Sequence, residues 1–148
     1  IMHHTFERFA PMNSAPLGRT QGVLIASESG AVTTYACELL ADRGVLFVQP
    51  GDKVYAGQIV GEHSRDNDLV VNITRLKALT NIRAASKEAT VVLKQPRLMG
   101  LEAALEYIED DELVEIVPKS VRIRKRILEE SMRKRAERSA RDKDDARD

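Results

Sequence analysis

The chain has 148 residues, 23 Lys and Arg balanced by 23 Asp and Glu, no Trp, three Phe and three Tyr. A domain of this length buries roughly 68–70% of its unfolded surface, so aliphatic side chains must fill its core. The single cysteine, Cys37, excludes an internal disulfide and a Cys-based metal site; no signal-peptide pattern is visible and no apolar run nears the ~20 residues that span a bilayer, so a cytoplasmic protein with no membrane contact is expected.

Ile1 is not an initiator, so a piece of a larger protein is expected. Met2 to Phe9 alternates weakly before Pro11 and reads as a strand with little of its own to pair with. Residues 12–21, with Pro16 and Gly18, read as a linker. Gly22 to Ala26 is a buried strand closed by a turn at Ser29-Gly30. Thr33 or Thr34 caps a short helix with Tyr35, Ala36, Leu39 and Leu40 at helical spacing, and Gly44 stops it. Cys37 lies on its apolar side, where a buried inert thiol is expected. Val45 to Val48 and Lys53 to Gly61 are strands around a Pro50-Gly51-Asp52 turn.

Gly61 to Arg83 follows no clean period through its middle, yet carries Arg65, Arg75, Lys77, Arg83, His63 and the asparagines Asn67, Asn72 and Asn81. Connections this long inside a domain are functional or disordered. Interspersed Leu69, Val70, Val71, Ile73, Leu76, Leu79 and Ile82 argue for order, which leaves a donor-rich projection suited to phosphates and base edges. A solvated loop of ordinary charge mix is the competing reading. Ala89 to Lys94 then forms a strand of β-branched residues. Leu101 to Glu109 forms an amphipathic helix with Leu101, Ala104, Leu105 and Ile108 inward and Glu102, Glu106 and Glu109 outward.

Leu113 to Val117 and Val121 to Lys125 are strands around Pro118. In the second, Arg122, Arg124 and Arg126 share one face, with Val121, Ile123 and Lys125 on the other. Guanidinium groups suit phosphate geometry; pairing with the acidic helix at 101–109 is the alternative. Ile127 to Arg138 is helical by propensity with a thin apolar face, and the charged tail 133–148 is expected to fray. The predicted fold is α+β, a mainly antiparallel, barrel-like sheet with two or three short helices.

Charge is segregated. Residues 65–97 hold seven bases and three acids, residues 119–141 ten and three, and 102–115 seven acids without a base. Two basic surfaces therefore stand behind a zero total, and such surfaces attract nucleic acid. With so few aromatics, base stacking cannot dominate; recognition of a folded RNA by shape and backbone fits better. No phosphate-binding Gly-x-x-x-x-Gly-Lys-Ser/Thr loop is present. His63, Asp66 and Asp68 are the best enzymatic or metal-binding set, and they lack a third strong ligand. Val48 to Val60 is similar to the first half of biotinyl and lipoyl carrier domains, but the lysine such carriers modify does not follow. Shared hairpin geometry explains that likeness.

Five blocks in order resemble the C-terminal part of the BipA (TypA) translational GTPases, relatives of elongation factor G. They are Gly22-Val-Leu-Ile, Arg43-Gly-Val-Leu-Phe, Val54 to Leu69, Leu79-Thr-Asn-Ile-Arg-Ala and Asp110 to Lys125. The resemblance implies that residues 1–11 are the last strand of a preceding ferredoxin-like domain and 22–132 the family's C-terminal domain. It implies a ribosome-binding module that projects the loop aligned with His63 to Arg83 toward the A site and the peptidyl-transferase region. Large-subunit rRNA and A-site tRNA would be its partners, with His63, Ser64 and Thr80 joining the loop's cations and asparagines as contacts. GTP and Mg²⁺ would bind a GTPase domain outside this sequence, leaving the fragment without cofactor or enzymatic activity. A monomer is expected unless strand 2–9 pairs between molecules. Ser86, Gly100 and Ala26 depart from the family pattern at a glycine, a helix-capping threonine and a serine, and none touches a cationic position.

Overall fold

The computed structural model describes residues 19–77 and 93–147. In chain order these form β1 (Val23–Ala26), β2 (Gly30–Ala31), α1 (Thr34–Leu40), β3 (Gly44–Leu46), β4 (Lys53–Val54), β5 (Gln58–His63) and β6 (Leu69–Val71). After residue 93 come α2 (Leu101–Tyr107), β7 (Glu112–Val117), β8 (Ser120–Lys125) and α3 (Glu130–Asp145). The expected strand at 2–9, residues 12–18 of the linker and positions 89–92 of the expected strand Ala89 to Lys94 lie outside the described residues. Leu93 and Lys94 belong to no regular element.

The α+β class and the mainly antiparallel sheet are as the sequence predicts. Among the described residues the sheet is open, however, and does not close into a barrel. Its order is β6-β1-β5-β8-β7, with β3 also pairing β5, and β2-β4 forms a separate ribbon. One pair, β1 with β6, is parallel.

β1 is buried along its whole length because it sits between β5 and β6 with both faces covered. Successive side chains point to opposite faces. Leu24 and Ala26 join Ala36, Cys37 and Leu40 of α1 in one cluster, while Val23 and Ile25 join Ile59, Ile123 and Ala104 of α2 in another. The sheet is thus a layer with α1 on one side and α2 on the other. Cys37 is buried, and burial pushes its thiol pKa up, so it serves as core.

Three expectations need correction. The single strand Lys53 to Gly61 is divided, because Gly57 takes φ +90 and its N–H bonds Ala26 O at 2.9 Å. A Cβ there would lie 2.7 Å from Leu128 Cα, so both the turn and the close approach require glycine. The inward face of α2 is narrower than its periodicity suggests: Ala104 is fully buried, while Leu101 and Leu105 stand 40% and 55% exposed. Gly100 occupies its N-cap without a side-chain bond. Last, helix α3 runs on to Asp145, well past Arg138.

Candidate nucleic-acid interface

The predicted loop is built by short-range bonds that anchor it at both ends. His63 closes β5 and is buried; its Nδ1–H donates to Asn67 O at 2.6 Å. Gly22 N donates to Arg65 O at 2.8 Å, and Val23 N to Asp68 Oδ1 at 3.0 Å. This approach is possible only because Gly22 has no side chain, since a Cβ would lie 2.1 Å from Asn67 O. The chain then enters β6, a strand that the mixed composition concealed.

On the far leg, Asn72 Oδ1 accepts from Thr74 N at 3.1 Å and Thr74 Oγ1 at 3.0 Å, an Asx turn that uses up its acceptor. Ile73 is buried, and Thr33 donates from its hydroxyl to Arg75 O at 2.6 Å while capping α1 through Ala36 N. Ser64, Arg65, Asn67, Arg75 and Lys77 are exposed. His63 is correspondingly a positioning residue beneath the turn. Thr80, Asn81 and Arg83 lie outside the described residues.

β8 alternates as predicted. Ile123 and Lys125 are buried, Arg122 and Arg124 half-buried and Arg126 exposed. Arg122 lies opposite Glu115 of β7, whose carboxylate accepts from Tyr55 Oη at 2.7 Å. Burial, then that bond, raises the Tyr55 pKa to about 12, against the pull of Arg124 and Arg122. Among the described residues Arg65, Arg75, Lys77, Arg122, Arg124 and Arg126 form no ion pair. The acids around α2 turn elsewhere: Glu109 lies 3.5 Å from Arg19, and Glu112 binds the same guanidinium through both oxygens. The alternative pairing of the arginine strand with the acidic helix is therefore not what forms.

Sequence reasoning also left unfound a charge cluster built around buried Lys125, Glu112 and Arg19. Lys125 Nζ lies 2.7 Å from Asp68 Oδ2, 2.7 Å from Asp111 Oδ2 and 3.3 Å from Glu112 Oε2. Burial opposes its charge, but the bonds to Asp111 and Asp68 and the charge of Glu112 win, and its pKa rises. Arg19 joins through Glu112, donates to Tyr107 O at 3.3 Å and stacks 4.8 Å from the Tyr107 ring centre. Its pKa is raised too: burial works against it, and Glu112 outweighs burial. The available signal was Lys125 itself, because a cation on the apolar side of an alternating strand must meet a buried anion.

The candidate enzymatic set does not assemble. Asp68 is committed to Val23 N and Lys125, His63 to Asn67 O, and among the described residues no three His, Cys, Asp or Glu could hold a metal ion. No described helix is long and apolar enough to cross a membrane.

Residues 21–130 match the model of the TypA/BipA C-terminal domain. The chain is similar to the large ribosomal subunit assembly factor BipA of Bacillus subtilis, 49% identical over 137 residues, covering 92% of this chain and 22% of that protein. It is similar also to the factors of that name from Synechocystis, 49% identical over 125 residues (84% and 21%), and Escherichia coli K12, 48% over 143 residues (96% and 24%). The chain thus spans less than a quarter of the length of these curated relatives, and it belongs to the TypA/BipA C-terminal domain family.

Proposed function

We propose that this chain is a ribosome-binding module, in which the loop at 63–83 and the arginine strand contact RNA phosphates together. The observation that carries the reading is the Asp68–Lys125 bond of 2.7 Å, which ties the cationic loop to β8, the strand whose other face carries the arginines. Arg65, Arg75, Lys77 and Arg83 take phosphates from the loop, and Arg122, Arg124 and Arg126 from the strand. Exposed Asn67, with Ser64, Thr80 and Asn81, orders the loop or reads RNA edges, whereas Asn72 and His63 hold its shape.

The relatives are named as assembly factors of the large ribosomal subunit, so large-subunit rRNA is the expected partner. Contact with the A-site tRNA near the peptidyl-transferase region and action in the cytoplasm belong to the same proposal. The GTP and Mg²⁺ chemistry of the parent factor is assigned to the part of the relatives' length that this chain does not span.

Co-sedimentation with purified large and small ribosomal subunits tests the reading. Selective pelleting with the large subunit, weakened by combined Arg65→Ala, Arg75→Ala and Lys77→Ala, is expected; equal pelleting with neither preference nor weakening would refute it. A second reading, protein docking through α2, is favoured by the exposure of Leu101 and Leu105 beside Glu102 and Glu106. Charge reversal of the two glutamates would then abolish a contact that the loop variant retains.

A further inference from the structure

Two strands share one edge of β5. Ile59 pairs with Ile25 on one side and Ile123 on the other, while Gly61 pairs with Leu24 and Leu46. Thus β8 holds the first part of that edge and β3 the last. β8 leaves at Ile59, and beyond β3 the chain turns away at Phe47, whose N–H still bonds Val60 O at 2.8 Å. The fork between them opens a groove of about 400 Å³.

Its apolar lining includes Phe47, Ile59, Leu98, Met99, Val121 and Ile123, and its cations are Lys53, Lys119 and Arg122. Asp52 is the one acid of the lining, and its Oδ2 already accepts from Gln49 N at 3.1 Å. Gln58 also lines the groove, 3% exposed, and its Oε1 accepts from Tyr55 N at 3.3 Å. Phe47 lies edge-on to Tyr107 at 5.4 Å and under the Arg97 guanidinium at 5.2 Å.

We infer that this groove binds one unstacked nucleotide of single-stranded RNA, with the base against the apolar lining and the flanking phosphates on Lys53, Lys119 and Arg122. The inference rests on the ribosomal reading and names a second kind of contact within it. An apolar ligand would leave three cations unanswered. An acidic peptide would answer the cations but bring nothing planar or apolar for the lining. A nucleotide supplies both, and splayed bases seated on apolar and aromatic surfaces are how proteins read single-stranded RNA. The volume falls within the usual range of small-molecule sites, and the Gln58 amide offers a donor for a base edge.

The test is fluorescence anisotropy with labelled hexauridylate and an abasic ribose-phosphate hexamer of equal charge. The intact chain should prefer the oligomer with bases by about tenfold. Leu98→Asp, at a 72% exposed position, should erase that preference, and Lys119→Glu should weaken both oligomers. Equal binding of the two oligomers by the intact chain overturns the inference, as does displacement of RNA by hexaglutamate at matching concentration. Sedimentation with large subunits, run in parallel, separates the two proposals. If subunits bind but the base preference is missing, the groove fails alone. If subunits do not bind, the ribosomal reading fails, and the base preference still decides the groove.

Discussion

Glu112 holds more of this molecule together than its single carboxylate suggests. With a fully buried side chain it receives Arg19, sits 3.3 Å from Lys125 and accepts from Glu109 N at 3.0 Å. Removing one partner from a buried charge cluster leaves the others uncompensated, which costs about 3–5 kcal/mol. Glu112→Ala should therefore lower urea stability by about that much, whereas Asp111→Ala, at a side chain 63% exposed, should cost well under half of it. Similar losses for both variants would show that the cluster is not organised around Glu112. Lys125 of the cluster and Tyr55, which donates to Glu115, together set the alkaline limit. Tyr55 and Lys125 both have raised folded-state pKa values, so the stability they contribute is complete below their unfolded values of 10.0 and 10.5. It is lost as pH rises through the folded values, about 12 for Tyr55. Melting temperature should stay level with respect to these two groups up to pH 10 and fall from there toward pH 12; Tyr55→Phe should soften the fall, and an unchanged profile would remove Tyr55 as a cause.

Among the elements, those with a local signature were legible, and several details set by long-range partners were not. β8 could be read from its alternation, and α1 from Thr33 and the apolar residues behind it, because the information is local. β6 was hidden: only three residues long, it is a strand because β1 offers it a parallel edge. The turn at Gly57 depends on the nearness of Leu128, more than 70 positions along, which no window of sequence contains. Asp68 looked like a loose loop acid for the same reason, since its partner Lys125 comes from β8. Gly22→Ala should act locally: the added carbon meets Asn67 O, so amide exchange across residues 64–71 should quicken while α2 stays protected. Uniform quickening would instead mean that the whole sheet depends on that contact. α3 is the opposite case, a helix made by propensity with Arg133 as its one buried residue, donating to Ile127 O and Leu128 O. Its amides beyond Arg133 should exchange far faster than those of β5, because packing rather than propensity protects helices. Slow exchange there would reveal a partner surface for α3.

For the molecule as a whole, neutrality conceals a division of labour. Lys125 and Arg19 are neutralised inside, which leaves Arg65, Arg75, Lys77 and the Arg122 face for a partner. The most direct test of that division is the salt dependence of large-subunit affinity for four proteins: the intact chain, the loop variant lacking Arg65, Arg75 and Lys77, the strand variant lacking Arg122, Arg124 and Arg126, and the two combined. Every RNA phosphate that is no longer neutralised should reduce the slope of log K against log salt by about 0.7–0.9. A shallower slope is expected in each triple variant and the shallowest in the combination. A slope unchanged by both triples would place the RNA-binding surface elsewhere and contradict that division.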